Sequence, residues 1–554
     1  VSDLDGRYLR HGAVEADVST AKELIDRQQN MKTKRAQFER QWHMIGMQVL
    51  PRYDDFINKA VQGARRDQFI YDSTAPLALE SFAAALESLL VPRTQYWHGL
   101  APVDKSLSSL RVRRFNEDVR AFMFAARYSP YANFASQIQE VFLELGAFGT
   151  GIMFIEDARN RGVCYHTIPL AEAFIAQNAQ GFVDTMFRRY ELSARAAYQR
   201  WGERLPEAIR KWVEKQPDRT FEFLHVAMPN EDVKRGSRTF RGMNIASFDI
   251  SIEGSTELSV GGFRTMPYAV SRYTTAAREV YGRSPAQMAL ADIRSLNEMA
   301  KTNLRVGQLI ADAPILTSDV DALSPFSMKP GAINAGYLNE RGDQLAKRME
   351  PTGDPRITLE MENQRRETIN RSFLVTLFQI LIDTPQMTAT EVLERAQEKG
   401  ALLAPTIGRQ QSELLGPMIE RELDIHWHAG RIPQPPEELM ARGGLKIEYS
   451  SPLDRAMRAE EGVGILRTIE AVKPIADIDP TVLRKFNWER TVDTLAEVNG
   501  MPVRCLNTED EMAAKAQQEQ QAQAVQQLTE LAPQAAAAAK NMAQAQAVAR
   551  QPGF

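Results

Sequence analysis

From Val280 to Leu309 the chain reads VYGRSPAQMALADIRSLNEMAKTNLRVGQL, with no proline after Pro285. At 100° per residue, Gln287, Arg294, Glu298, Lys301 and Arg305 fall on one narrow stripe. Leu290, Ile293, Ala300 and Leu304 lie on one flank and Met288, Met299 and Val306 on the other. A surface helix normally buries a single apolar face. This pattern predicts one long helix that is enclosed on several sides and polar only along a seam, as a helix repeated around a ring would be.

The same reading lays out the rest of the chain. Residues 15–60 form a charged helix ending near Pro51. Asp72, Ser73 and Thr74 offer helix caps ahead of Pro76, and Leu79, Phe82, Leu86 and Leu90 follow at helical spacing until Pro92. Two helices flank Ser129-Pro130 within 111–145. GAFGTG begins at Gly146 and leads into the apolar run IMFIE. The order helix, glycines, strand and the spacing GxxGxG argue against a dinucleotide loop, which runs strand, GxGxxG, helix. A tight helix-to-strand turn fits better. Alternation then predicts strands within 163–190, at 221–229 and at 247–253, with a helix over 193–215. Prolines and glycines punctuate 312–356, and a second long helix is expected from about Ile357 to Ile382. A very long helix follows Met387, interrupted near Gly400, Pro405 and Gly416-Pro417.

Composition narrows the class. With 554 residues the chain exceeds one compact core, and a net charge of −4 excludes a globally basic nucleic-acid binder. Cys164 and Cys505 give neither a disulfide framework nor a zinc spacing, which fits a reducing compartment. The N-terminus has no apolar signal core, and the strongest apolar run, Phe373 to Ile382, falls short of the roughly 18 residues of a membrane span. Residues 513–550 are mostly alanine and glutamine. They favour helix but bury little, so a solvated helix, a loose multi-chain barrel or partial disorder all suit them.

Chemistry is sparse. The chain has no GxxxxGK[ST], no HExxH and no GxSxG. His426 and His428 are two apart, which puts them on different sides of a helix and makes a poor metal pair. No clustered carboxylates suggest a two-metal nuclease. The reading is of a non-enzyme with no cofactor, no metal and no small-molecule substrate.

Four blocks, in order, carry a resemblance: YDSTAPLALESFAAALESLLVPRTQYWHGL (71–100), YGRSP with ADIRSLNEMAKTNLR, DTPQMTATEVLERAQEKG (383–400) and KIEYSSPLDRAMRAEEG (446–462). The chain resembles the portal (head-to-tail connector) proteins of short-tailed, T7-like double-stranded DNA bacteriophages over roughly 35–500. The resemblance implies a mainly helical α+β portal fold assembled as a ring, usually a dodecamer. It implies a wing over 1–283, β-rich at about 160–275, a first stem helix at 284–311 and a clip at 312–356. A second stem helix follows at 357–382, then a channel loop at 383–388, a kinked wing helix at 389–430, a return strand and crown at 431–505, and a helical tail or barrel at 506–554.

The implied partners are further copies of the chain, the terminase large subunit, tail adaptor and tail proteins, the major capsid protein, and scaffolding or internal core proteins. Double-stranded DNA would pass through without sequence specificity. The implied location is the portal vertex of the virion, after assembly in the host cytoplasm. Candidate channel residues are Arg294, Lys301 and Arg305 on the first stem helix and Arg365, Arg366 and Arg371 on the second. Each could instead pair with Glu298, Glu360, Glu362 or Glu367 of a neighbouring chain. Asp383, Thr384, Pro385, Gln386 and Met387 are the candidate constriction. Two other classes compete: a helical scaffold protein without a channel, and a nucleic-acid-processing enzyme with metal-dependent cleavage.

Overall fold

The computed structural model describes residues 18–57, 63–104, 109–158, 162–231, 242–317, 355–376, 404–442, 444–449, 462–474 and 484–498, with scattered positions between and beyond them. Two compact units emerge, Val1–Trp97 with Phe122–Ile432 and His98–Ala121 with Pro433–Phe554.

The first unit opens with α1 (Val18–Gln48) and α2 (Thr74–Leu90). Ser73 makes no capping bond with its side chain. Asp72 takes that role, its Oδ1 accepting from Thr74 N at 2.8 Å. Helices α3 (Leu110–Arg127), which lies in the second unit up to Ala121, and α4 (Phe134–Phe148) bracket Ser129-Pro130 as expected. Helix α4 ends at Gly149, with φ +81°, and strand β2 (Thr150–Ala158) starts at once. The glycine cluster is therefore a helix-to-strand turn.

Strand β2 is the centre of a three-stranded antiparallel sheet, between β3 (Gly162–Thr167) and β9 (Tyr268–Arg272). A five-stranded antiparallel meander runs β4 (Ala173–Gln177), β5 (Val183–Ser193), β6 (Thr220–Pro229), β7 (Ile245–Ser251) and β8 (Thr256–Phe263). Period-two alternation assigns its two faces. Phe187, Leu224, Val226 and Ile250 pack on Ala21 and Leu24 of α1. Tyr190, Phe221, Phe223 and Leu258 pack on α5 (Ala194–Trp201) and α6 (Glu207–Lys215). The expected single helix over 193–215 is thus two, because Gly202 turns the chain with φ +55° and Pro206 precedes the second. The run IMFIE is the strand expected after the glycines, within Thr150–Ala158.

The long helix beginning at YGRSP is also divided. Ser284 caps α7 (Pro285–Met288), its hydroxyl accepting from Gln287 N at 2.8 Å, and α8 (Leu290–Ala311) resumes after Ala289. A two-stranded antiparallel ribbon, β10 (Ile315–Thr317) with β11 (Ala346–Arg348), joins it to α9 (Pro355–Ser372). Helix α9 starts two residues earlier than expected and gives way at Phe373 and Leu374, where φ is +60°. Residues 377–403 lie outside the described residues, and with them the end of that helix, the candidate loop and Gly400.

The expected interruption before Pro417 is a π-turn over Gln411–Leu415, continuing into α10 (Gly416–His428). Pro417 has no N–H to offer the carbonyl one turn back, so the helical ladder widens ahead of it. In the second unit β1 (His98–Pro102) pairs with β12 (Leu445–Tyr449), placing KIEY in an antiparallel ladder. Helix covers 462–474, Trp488–Val498 and 511–518 there.

No helix among the described residues is long and apolar enough to cross a membrane.

A buried ion pair ties three elements of the first unit. Arg127 of α3 and Glu422 of α10 are 0% and 1% exposed, with Nε to Oε1 at 2.9 Å, and the Tyr165 hydroxyl of β3 also donates to Glu422. The Arg127 guanidinium lies 4.6 Å from the Trp97 ring centroid and 4.9 Å from that of Phe124. Removing one partner strands a buried charge. Glu422→Leu or Arg127→Met alone should cost about 3–5 kcal/mol, and the double substitution much less than their sum. Thermal unfolding of the three variants checks this. Gly149→Ala adds a Cβ 2.5 Å from the Gly282 carbonyl oxygen at a positive φ, and should cost roughly 3 kcal/mol or more. Gly307→Ala, with open space around it, should be neutral or slightly stabilising in the same measurement.

Candidate functional site

Helix α8 is held at its entry by close backbone packing. Gly282 N donates to Thr150 Oγ1 at 2.9 Å, and a Cβ on Gly282 would sit 2.0 Å from the Gly149 carbonyl oxygen. Arg283 N donates to Thr274 O at 2.6 Å, and Tyr273 N to Gly149 O at 2.9 Å. The entry to α8, the end of α4 and the end of β9 therefore converge on one point.

Helices α8 and α9 pack together with the segment Phe69–Asp72. Asn297 of α8 is buried, its Oδ1 accepting from Tyr71 N at 2.7 Å and its Nδ2 donating to Phe69 O at 2.7 Å. Asn303 donates to Glu362 of α9, which is 4% exposed. Arg366 reaches Asp72 Oδ2 at 2.9 Å and Glu362 Oε2 at 3.1 Å. Desolvation by itself would raise the Asp72 carboxyl. Its bonds from Thr74 and Arg366 outweigh that and hold it below its ordinary value of 3.8. From the sequence Asp72 is a helix cap and Glu362 a possible partner of the cations, but nothing marks Asn297, because a small polar residue on a helix looks like its wet edge until tertiary contacts cover it.

The six candidate cations separate into two groups. Arg365 pairs with Asp292 across the two helices, and Arg371 with Glu367 one turn away on its own helix. Lys301 lies 3.7 Å from Glu298 and 5.4 Å from the Tyr71 ring centroid. Arg366 is engaged as above. All four are thus satisfied inside one chain, with Asp292 and Asp72 as partners that the expected list of glutamates omitted. Arg294 and Arg305 are exposed and have no ion-pair partner among the described residues. They lie 11 positions apart on one stripe, about 16 Å along the helix axis. The expected seam is real in composition, but enclosure is not complete in a single chain: Leu304, Leu309 and Ile310 are 54%, 44% and 54% exposed. Asp383 through Met387 lie outside the described residues.

His426 and His428 diverge as their spacing predicts. His426 is buried, and desolvation, then Arg431 and Arg127, pushes it down to about 4. His428 turns outward, its Nδ1 2.9 Å from the Asp424 carbonyl oxygen.

These contacts give different costs for cations that look alike in sequence. Arg366→Ala leaves Asp72 and the buried Glu362 without their guanidinium and should cost about 1–3 kcal/mol at neutral pH. Because Asp72 is depressed in the folded state, its share is fully present above 3.8 and is lost as pH falls through the lower native value. Arg294→Ala should change stability by no more than about 0.5 kcal/mol. Unfolding midpoints of the two variants at neutral and acidic pH test the contrast.

Comparison with known proteins follows the same elements. The family model described as "Bacteriophage head to tail connecting protein" matches residues 21–506. The "Probable portal protein" of Bordetella phage BPP-1 is 28% identical over 95% of this chain and 96% of its own length. The "Portal protein" of Salmonella phage epsilon15 is 24% identical over 94% and 95%. Among solved structures, a chain from the neck of an empty gene transfer agent (GTA) particle is 14% identical, covers 73% of this chain and 90% of its own, and has a TM-score of 0.36. A second, from the virion of the native particle, is 14% identical, covers 75% and 92%, and has a TM-score of 0.33. The sequence match spans nearly all the elements described above, from α1 through the β1–β12 pair to 506, and the chain belongs to the bacteriophage head-to-tail connecting protein family.

Proposed function

We propose that this chain assembles into a closed ring of twelve copies at one vertex of a phage head. Double-stranded DNA enters through its channel during packaging and leaves through it at ejection. The observation that carries this reading is the family match over 21–506. It supports a connector between head and tail rather than a channel-less scaffold or a nucleic-acid-processing enzyme.

The geometry supplies a physical rationale. The apolar residues Leu304, Leu309 and Ile310 on α8 are uncovered in one chain and would be covered by neighbours in a ring. Most of the stem cations are already neutralised within the chain, so the wall would present little fixed positive charge to DNA. Each chain carries a net −4, and a ring of such chains repels phosphates rather than binding them. That suits a passage in which tight or sequence-specific contact would stall movement. Arg294 and Arg305 are the exceptions, and they would offer two rings of weak, non-specific contact to the duplex backbone. The loop Asp383, Thr384, Pro385, Gln386 and Met387 would narrow the channel.

The segment between α8 and α9 would face the terminase large subunit during packaging and the tail adaptor afterwards. The major capsid protein and scaffolding or internal core proteins would contact the outer parts of the ring. Assembly would occur in the host cytoplasm and the product would remain in the virion. The role is structural: the terminase would supply ATP hydrolysis, and this chain would perform no chemical step.

Electron microscopy of the purified full-length protein tests the reading. Top views should show rings with a central channel of duplex width, and a defined small oligomer without a channel would overturn it. In the assembled phage, Arg294→Glu with Arg305→Glu should leave rings intact and lower the yield of DNA-filled heads severalfold. Unchanged packaging would remove these two side chains from the DNA path.

A further inference from the structure

The sequence shows no zinc spacing, yet the register of one hairpin brings three ligand-type side chains together. Strands β2 and β3 pair so that Glu156 stands directly opposite Cys164. His166 lies two positions along β3 and so on the same face. His166 Nε2 is 3.5 Å from Cys164 Sγ and 2.9 Å from Glu156 Oε1. The three ligand atoms lie within 4.8 Å of one another; Glu156 and Cys164 are half-buried and the His166 side chain is 48% exposed.

We propose that Glu156, Cys164 and His166 form a binding site for one divalent transition-metal ion of the zinc class. Ligand atoms around a tetrahedral zinc are roughly 3.3–3.6 Å apart, given metal–ligand distances of about 2.0–2.3 Å. The sulfur–imidazole separation already meets that spacing. The imidazole and carboxylate need to part by only a few tenths of an ångström. A thiolate with an imidazole selects zinc-class ions over magnesium or calcium, which prefer all-oxygen shells. Thiolate and carboxylate together neutralise a divalent charge. Three protein ligands leave a fourth position for water or for a group from outside.

The hairpin is rigid where the ligands sit. Tyr165, between Cys164 and His166, points to the opposite face, is fully buried and donates its hydroxyl to Glu422. Thr167 N donates to Gln137 Oε1 at 2.6 Å, and its hydroxyl to Gln137 O at 2.7 Å. Asp157, next to Glu156, accepts from Arg431 at 3.1 Å. Contacts from behind therefore hold the strand so that the three ligand groups share its outer face, which is the preorganisation a metal site needs. Without metal, His166 Nε2 contacts both Cys164 Sγ and Glu156 Oε1. Binding displaces the protons of the thiol and the imidazolium into solvent, so it releases protons.

The test uses the full-length protein, treated with a chelator and titrated with cobalt(II). Expected are a thiolate-to-cobalt charge-transfer absorption, saturation at one ion per chain, and displacement by zinc(II). Cys505→Ser should retain the band and Cys164→Ser should abolish it. Glu156→Gln and His166→Gln, both close in size to the native residues, should each weaken cobalt affinity about tenfold or more. Far-ultraviolet circular dichroism checks that each variant is folded. The proposal is overturned if the native protein shows no charge-transfer band. It is equally overturned if the band survives in Cys164→Ser, or if both conservative variants bind cobalt as tightly as the native chain, the behaviour of a lone exposed thiol.

Discussion

The backbone-to-backbone contact of Gly149 with Gly282 is the constraint on which the first unit depends. These two positions are far apart in sequence, and at each a Cβ would fall closer to the other's carbonyl oxygen than any side chain tolerates. Through that contact the end of α4, the start of β2, the end of β9 and the cap of α7 share one small volume. Gly146, one turn back on α4, extends the same requirement to α2, where a Cβ would meet Leu79 and Phe82 at 2.5 and 2.8 Å. The chain therefore enters α7 through a contact that only glycines allow.

Charge is handled differently at different depths. The Arg127–Glu422 pair is wholly buried and joins α3 to α10, with Tyr165 bonded to the same carboxylate. Around α8 and α9, pairs such as Arg366 with Asp72 are half-buried and tie a connecting segment to the helices. On the outer stripe, Arg294 and Arg305 are left to solvent. The gradient has a physical logic. Buried charges without partners destabilise a fold severely, whereas exposed ones cost little.

Tyr165 connects the core to the hairpin face. Its burial against Glu422 turns Cys164 and His166 to the other side of β3, where Glu156 meets them across the ladder. A core contact thereby decides which surface carries the thiol and the imidazole. The alternation of a strand makes that decision all or nothing, because a slip by one residue would exchange the faces.

Much of this protein could be read before any coordinates. Prolines, glycines and the 3.6-residue period located α1 through α4, the α8–α9 pair with its insert, and the interruption near Gly416-Pro417, because these signals act within a turn or two of chain. The order of four motif blocks pointed to the connector family, and the match over 21–506 agrees. What local pattern did not carry was pairing over distance. It did not separate the two sheets, did not place β9 beside β2, and did not show that Asp72 would bond to Arg366 of α9 or that Asn297 of α8 would hold the segment Phe69–Asp72. Nor did it show which of six similar cations would stay unpaired, or that Glu156 would face Cys164. Each of these depends on which segments meet across scores or hundreds of residues. Tertiary packing settles that through shape and burial, and helix or strand periodicity holds no record of it.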